Sequence, residues 1–216
     1  MEIKVMKSVL EANEDRAQQI RELLKSKNIY MLNFIGSPGA GKTSLLEKTI
    51  ESLKERFRIA VIEGDVATDK DAKRLQKYDL PIIMVNTDGG CHLDSMTIEK
   101  ALEQLDLDNL DLIFIENVGN LVCPAEFDLG ENAKIAILST TEGDDKPAKY
   151  PFLFREASSV VLNKADLIEY TNFDRKLFIE NVLTLNGQMP IFEVSCTKRN
   201  GLDDWYQWLE KELLKN

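Results

Sequence analysis

The stretch Ile35-Gly36-Ser37-Pro38-Gly39-Ala40-Gly41-Lys42-Thr43-Ser44 reads G-x-x-x-x-G-K-T, the full phosphate-binding loop pattern. An apolar run, Tyr30-Met31-Leu32-Asn33-Phe34-Ile35, precedes it and reads as a buried strand. Ser44-Leu45-Leu46-Glu47-Lys48-Thr49-Ile50 follows and reads as a helix. Strand, glycine loop, helix is the context in which the pattern binds phosphate. Gly36, Gly39 and Gly41 lack Cβ, so backbone N–H groups can close on a polyphosphate, with Ala40 and Ser44 completing the cradle. The helix N-terminus adds partial positive charge. Lys42 is expected to reach the β- and γ-phosphates, and the Thr43 hydroxyl to ligate Mg²⁺.

Outward from this loop, short apolar runs alternate with helical patterns. Residues from about 8 to 27 carry apolar positions at Val9, Leu10, Ala17, Ile20, Leu23 and Leu24, an amphipathic helix leading into the core. Strand patterns follow at Arg58–Glu63, Pro81–Val85, Leu110–Glu116, Ile135–Leu138, Val160–Leu162 and Ile191–Val194. Helices are expected over Lys70–Tyr78, from Leu93 through Leu105, over Phe173–Leu185 and from Leu202 to Leu214; Asn117–Asn132 and Ser139–Lys149 read as loops. Continuously apolar strands alternating with helices predict an α/β fold: a doubly wound, mostly parallel, seven-stranded sheet covered on both faces, a P-loop NTPase. The expected organisation is a single domain, with residues 1–28 as a helix packed on a 29–216 nucleotide-binding unit. Ligands then sit beyond the carboxyl ends of the strands.

Composition narrows the class. Of 216 residues, 44% are apolar and 30% charged, a globular balance. A net charge of −10 argues against non-specific nucleic-acid binding, since phosphates would be repelled. No apolar run approaches the ~20 residues of a membrane span, and the first residues lack a signal-peptide core. Three cysteines fit a reducing compartment. The expectation is a cytoplasmic protein with neither a membrane nor a nucleic-acid partner.

After the sixth strand stands Asn163-Lys164-Ala165-Asp166, an N-K-x-D. A carboxylate at Asp166 can accept from the ring N–H and amino group of guanine. Adenine offers no such donor pair, so the wrong base leaves buried polar groups unpaired. Lys164 can lay its stem along the base. The nucleotide is therefore read as GTP or GDP. Ser195-Cys196-Thr197-Lys198, after the seventh strand, sits where a second base-contacting loop would lie, although Cys196 reads equally as a core residue.

Phosphate hydrolysis requires Mg²⁺ and a positioned water. Two acids, Asp65 and Glu116, stand at strand ends and are the candidates, with Lys42, for catalysis and, with Thr43, for Mg²⁺. Glu116-Asn117-Val118-Gly119 occupies the place of a D-x-x-G that senses the γ-phosphate, with glutamate for aspartate. Asn120 stands where small signalling GTPases keep a water-positioning Gln, so slow intrinsic hydrolysis is expected. A softer donor set lies elsewhere: Cys91-His92 and Cys123-Pro124, each just past a strand end. Thiolate plus imidazole suits Zn²⁺ or Ni²⁺. Three ligands leave the shell incomplete, to be closed by water or by a second subunit. The spacing matches no standard zinc finger, and a lone buried Cys is common.

From the phosphate loop to Ser195 the chain resembles the HypB family, the GTPases of nickel insertion in nickel–iron hydrogenase maturation. The resemblance is carried by Glu116-Asn117-Val118-Gly119-Asn120-Leu121-Val122-Cys123-Pro124-Ala125-Glu126-Phe127-Asp128-Leu129-Gly130, by Cys91-His92-Leu93-Asp94 and by Ser139-Thr140-Thr141-Glu142-Gly143-Asp144-Asp145. It implies a SIMIBI-type GTPase fold and a homodimer formed with nucleotide bound. It further implies that Cys91, His92 and Cys123 form a Ni/Zn site at the dimer interface. Lys149 would reach nucleotide across the dimer; the implied partners are a HypA-like zinc protein and the hydrogenase large subunit. Some members carry an N-terminal cysteine motif or histidine-rich tract; this sequence has neither, so nickel storage is not expected. The urease accessory GTPases place their ligands in Cys-Pro-His, whereas Ala125 follows Pro124 here. A relative serving cobalamin enzymes leaves Cys91-His92 unexplained, and a translation-type GTPase is disfavoured by the acidic charge. A metal-binding scaffold with incidental hydrolysis is the remaining alternative.

Overall fold

Continuous apolar runs become strands buried on both faces. The computed structural model describes residues 9–65 and 70–214, without the side chains of residues 9, 65 and 70–72. Seven strands make one sheet: β1 (Tyr30–Gly36), β2 (Ile59–Asp65), β3 (Ile82–Asn86), β4 (Leu112–Glu116), β5 (Ala133–Ser139), β6 (Ser159–Asn163) and β7 (Ile191–Glu193). Their order is β3-β2-β4-β1-β5-β6-β7, and every pairing is parallel. The helices are α1 (Val9–Ser26), α2 (Lys42–Leu53), α3 (Lys70–Leu75), α4 (Ser95–Leu102), α5 (Cys123–Glu126), α6 (Lys146–Lys149), α7 (Pro151–Glu156), α8 (Arg175–Leu185) and α9 (Leu202–Leu213). This is the doubly wound α/β architecture expected from the sequence. No described helix is long and apolar enough to cross a membrane.

The period of two along β1 divides the core. Leu32 and Phe34 face a layer built from α2 and α9, with Leu45, Leu46, Ile50, Trp205 and Leu209. Met31 faces the opposite layer, against Ile20 and Leu24 of α1 and Ile98 and Leu102 of α4. Ile35 packs with Leu153, Phe154, Phe178 and Val182 of α7 and α8. Phe34 meets Phe114 and Trp205 edge-on at centroid distances of 5.5 and 6.1 Å. Trp205 Nε1 donates to Thr49 Oγ1 at 2.9 Å, so its one polar atom is satisfied inside the core.

Three departures from the sequence reading have local causes. The Asn117–Asn132 loop contains α5, where Pro124 sits in the first turn and needs no N–H partner. The Ser139–Lys149 loop contains a capping box, with the Ser139 side chain and Glu142 exchanging hydrogen bonds with backbone amides, followed by α6. Six-residue α7 is too short for periodicity to register. Strand limits shift by a few residues: β4 starts at Leu112 because Asp111 turns to Arg58, accepting from its backbone N–H at 2.8 Å and its Nε at 3.0 Å. Trp205→Ala removes the side chain that joins α9 to both β1 and α2, and is expected to cost about 3–5 kcal/mol in urea unfolding.

Candidate nucleotide and metal sites

Sheet order sets the sites. The loop after β1 turns into α2 at Gly41, whose φ of 95° is left-handed; a Cβ there would meet Asn163 Nδ2 at 2.2 Å. The buried Lys42 ammonium donates to the carbonyls of Gly36 and Ser37 at 3.3 and 3.5 Å. Thr43 Oγ1 donates to Glu116 Oε1 at 2.7 Å. Both ends of that bond are buried, so β4 delivers its acid directly onto the first turn of α2. Gly119 passes so close to the loop that a Cβ would stand 2.7 Å from Pro38 Cγ. The cleft over the loop has a volume of about 450 Å³.

Of the two acids singled out from sequence, Glu116 is in this cleft. Asp65 ends β2 beside Asn86; its side chain lies outside the described residues. Glu63, passed over in the sequence as an ordinary strand residue, lines the cleft and is in register with Glu116. Period two was the available signal, because Glu63 stands two positions before Asp65 in the sequence of β2. Arg74 was also missed: it lines the cleft, donates to Ser44 Oγ at 3.2 Å and pairs with Glu47.

On the base side, Asn163 ties three loops. Its Nδ2 donates to Ala40 O at 3.1 Å, and its Oδ1 accepts from the amides of Lys164 and Cys196 at 2.8 and 3.4 Å. Lys164 adopts φ 56° and its Nζ donates to Gly39 O at 2.8 Å, so the N-K pair is clamped against the phosphate loop. Half-buried Asp166 opens the 3₁₀ turn that follows. Ser195 Oγ accepts from Lys198 N at 3.1 Å, and Thr197 is exposed. The Cys196 thiol packs in the core layer of α2 and α9, where burial pushes it up to about 11. Lys149 is exposed on α6 and pairs with Asp145.

Cys91 and His92 follow β3, and Cys123 opens α5. Cys91 Sγ lies 3.0 Å from Cys123 Sγ and 3.5 Å from His92 Nδ1, and the three donor atoms fall within 4.8 Å of one another. The fold thus gathers residues 32 positions apart into one soft donor set. Contact with Cys91 pushes the Cys123 thiol above its ordinary range. The His92 ring lies on Phe127 at a centroid distance of 3.9 Å. Asn120 makes a bridge with Gly36 and donates to Cys91 O at 3.3 Å, so it faces the metal loop. Asp128, which follows Phe127, takes a two-oxygen ion pair from Arg21 of α1 at 2.8 Å. Burial opposes that carboxylate, yet Arg21 and the Gly130 amide hold it below its usual range.

A parallel sheet with a phosphate loop after its central strand and an N-K-x-D after β6 defines a P-loop nucleotide-binding domain. The family model described as the CobW/HypB/UreG nucleotide-binding domain matches residues 30–193. The hydrogenase maturation factor HypB of Escherichia coli (strain K12) is 47% identical over 94% of this chain and 70% of its own length. The probable hydrogenase maturation factor HypB of Methanocaldococcus jannaschii is 40% identical over 97% of this chain and 95% of its own. The crystal structure of HypB from Helicobacter pylori in complex with nickel superposes with a TM-score of 0.89 at 37% identity, covering 95% of this chain and 96% of that one. The chain belongs to the HypB branch of the CobW/HypB/UreG family.

Phe127 was not legible as a site residue. Phe127→Ala frees the His92 ring and is expected to weaken binding of a divalent transition metal roughly tenfold or more, as loss of an orienting neighbour does. Competition against a chromogenic chelator reads this, and Phe127→Trp should retain tight binding.

Proposed function

We propose that the protein hydrolyses GTP and acts as a nickel metallochaperone in nickel–iron hydrogenase maturation, its nucleotide state governing dimerisation and metal binding. One observation carries this reading: Glu116, bonded to Thr43, and Cys123 lie on a single segment that runs from the end of β4 past the phosphate loop. Nickel is cargo here, taken by Cys91, His92 and Cys123, a set that Zn²⁺ also suits. The loop amides from Gly36 to Ser44 and the Lys42 ammonium bind the polyphosphate. Asn163, Lys164 and Asp166, with the Ser195–Thr197 loop, hold the guanine. Thr43 and Glu116 offer hard oxygen donors that fit Mg²⁺. Bound Mg²⁺ neutralises charge on the phosphates. Glu116 and Asp65 orient the attacking water, and turnover is slow because Asn120 is engaged with Cys91 O.

The chain works as one domain, with its N-terminal helix packed on the nucleotide-binding unit, in the cytoplasm. GTP favours a homodimer that brings two metal sites together and lets Lys149 approach the partner nucleotide. A HypA-like nickel-insertion protein and the hydrogenase large subunit are the partners from which and to which nickel passes.

Sizing with metal analysis tests the reading. With a non-hydrolysable GTP analogue and Ni²⁺ the protein should run as a dimer with stoichiometric metal, and with GDP as a smaller species. Cys91→Ala and Cys123→Ala should lose the metal. A monomer indifferent to nucleotide and without stoichiometric metal would leave a plain GTPase. Separately, Asp166→Ala should reduce the preference for GTP over ATP by about a hundredfold or more, measured by competition binding.

A further inference from the structure

Between the nucleotide cleft and the metal loop runs a chain of buried amides inside an otherwise apolar layer. Asn33, fully buried, interrupts the apolar run of β1 on the same face as Met31 and Ile35. Its Oδ1 accepts from Asn117 Nδ2 at 3.1 Å. Its Nδ2 donates to Glu131 Oε1 at 3.1 Å. Glu131 Oε2 accepts from Leu129 N at 2.7 Å. At the other end, Asn117 Oδ1 accepts from Val118 N at 3.0 Å and from Leu93 N at 3.3 Å. The Asn117 amide is thus oriented by its partners: its NH₂ must face Asn33 and its oxygen must face Leu93.

Placement gives this chain a consequence. Asn117 directly follows Glu116, which holds Thr43, and Leu93 directly follows His92, whose ring lies on Phe127. Phe127 and Glu131 belong to one short loop, so both the stacking partner of His92 and the anchor of Asn33 move with it. We propose that Asn117, clamped by Asn33 and Glu131, is the positioning residue through which the nucleotide site sets the geometry of the metal loop. A shift of the backbone at Glu116 carries Asn117 with it. The Leu93 N–H then follows its acceptor or is left unpaired in a buried site, which is costly.

This deepens the switch proposed above and rests on it. The test uses Asn33→Ala, which removes the clamp and changes no residue of either loop. Ni²⁺ affinity is measured by competition with a fluorescent chelator, with GDP and with a non-hydrolysable GTP analogue. In the wild-type protein the two affinities should differ roughly 5–150-fold, the usual range for coupled sites. In Asn33→Ala the ratio should fall to within about twofold of unity while nucleotide affinity is retained. A wild-type ratio in Asn33→Ala overturns the relay and leaves the switch standing. A ratio of unity already in the wild type overturns the switch, and the relay with it. If Asn33→Ala does not fold, amide hydrogen exchange of the wild type decides. Exchange at Leu93 and Val118 should change together between the two nucleotides; a change at Val118 with Leu93 unmoved overturns the relay.

Discussion

The register of β4 between β1 and β2 is the constraint on which the rest depends. It places Phe34 opposite Glu116 on one side and Glu63 opposite Glu116 on the other. A slip of one residue would turn every side chain of β4 to the opposite face. Glu116 would leave the first turn of α2, and the segment that follows would miss both Pro38 and the Cys91 loop. That register is secured by the residues that precede the acid, Leu112, Ile113, Phe114 and Ile115, all with no exposed surface. Apolar burial on two faces therefore aims a carboxylate that has no apolar character of its own.

The two halves of the site are held by different means. On the base side, backbone carbonyls of the phosphate loop accept from Asn163 and Lys164, which join β6 to β1 through side chains alone. On the metal side, Asn120 uses both: its backbone bridges to Gly36 and its side-chain amide donates to Cys91 O. Side chains of the long loop after β4 thus contact α1, β1 and the β3 loop. That explains why a stretch which reads as irregular in sequence is largely buried in the structure.

Legibility followed the reach of each signal. The phosphate loop, the N-K-x-D and the strand alternation are local patterns, and each could be read from neighbouring residues. The gathering of Cys91, His92 and Cys123 is not local: spacing alone matched no known pattern, and only strand order brings the loops after β3 and β4 together. Glu63 was hidden because a charged residue at the end of an apolar run reads as the exit of a strand. Asn33 was hidden for the opposite reason, as one polar residue inside an apolar run looks like noise. Its meaning depends on Glu131, 98 positions away. The helices α5 and α7 escaped because each is shorter than two turns.

Cys91 sits in the loop after β3 and Cys123 opens α5, 32 positions further on, with α4 and β4 between them in the chain. An ion bound by both would therefore be a crosslink. It would fasten the loop after β3, an edge strand of the sheet, to the segment that leaves the nucleotide cleft. Binding to the folded state alone stabilises that state by mass action. Binding of such an ion would thus tighten one border of the sheet, and its loss would loosen it.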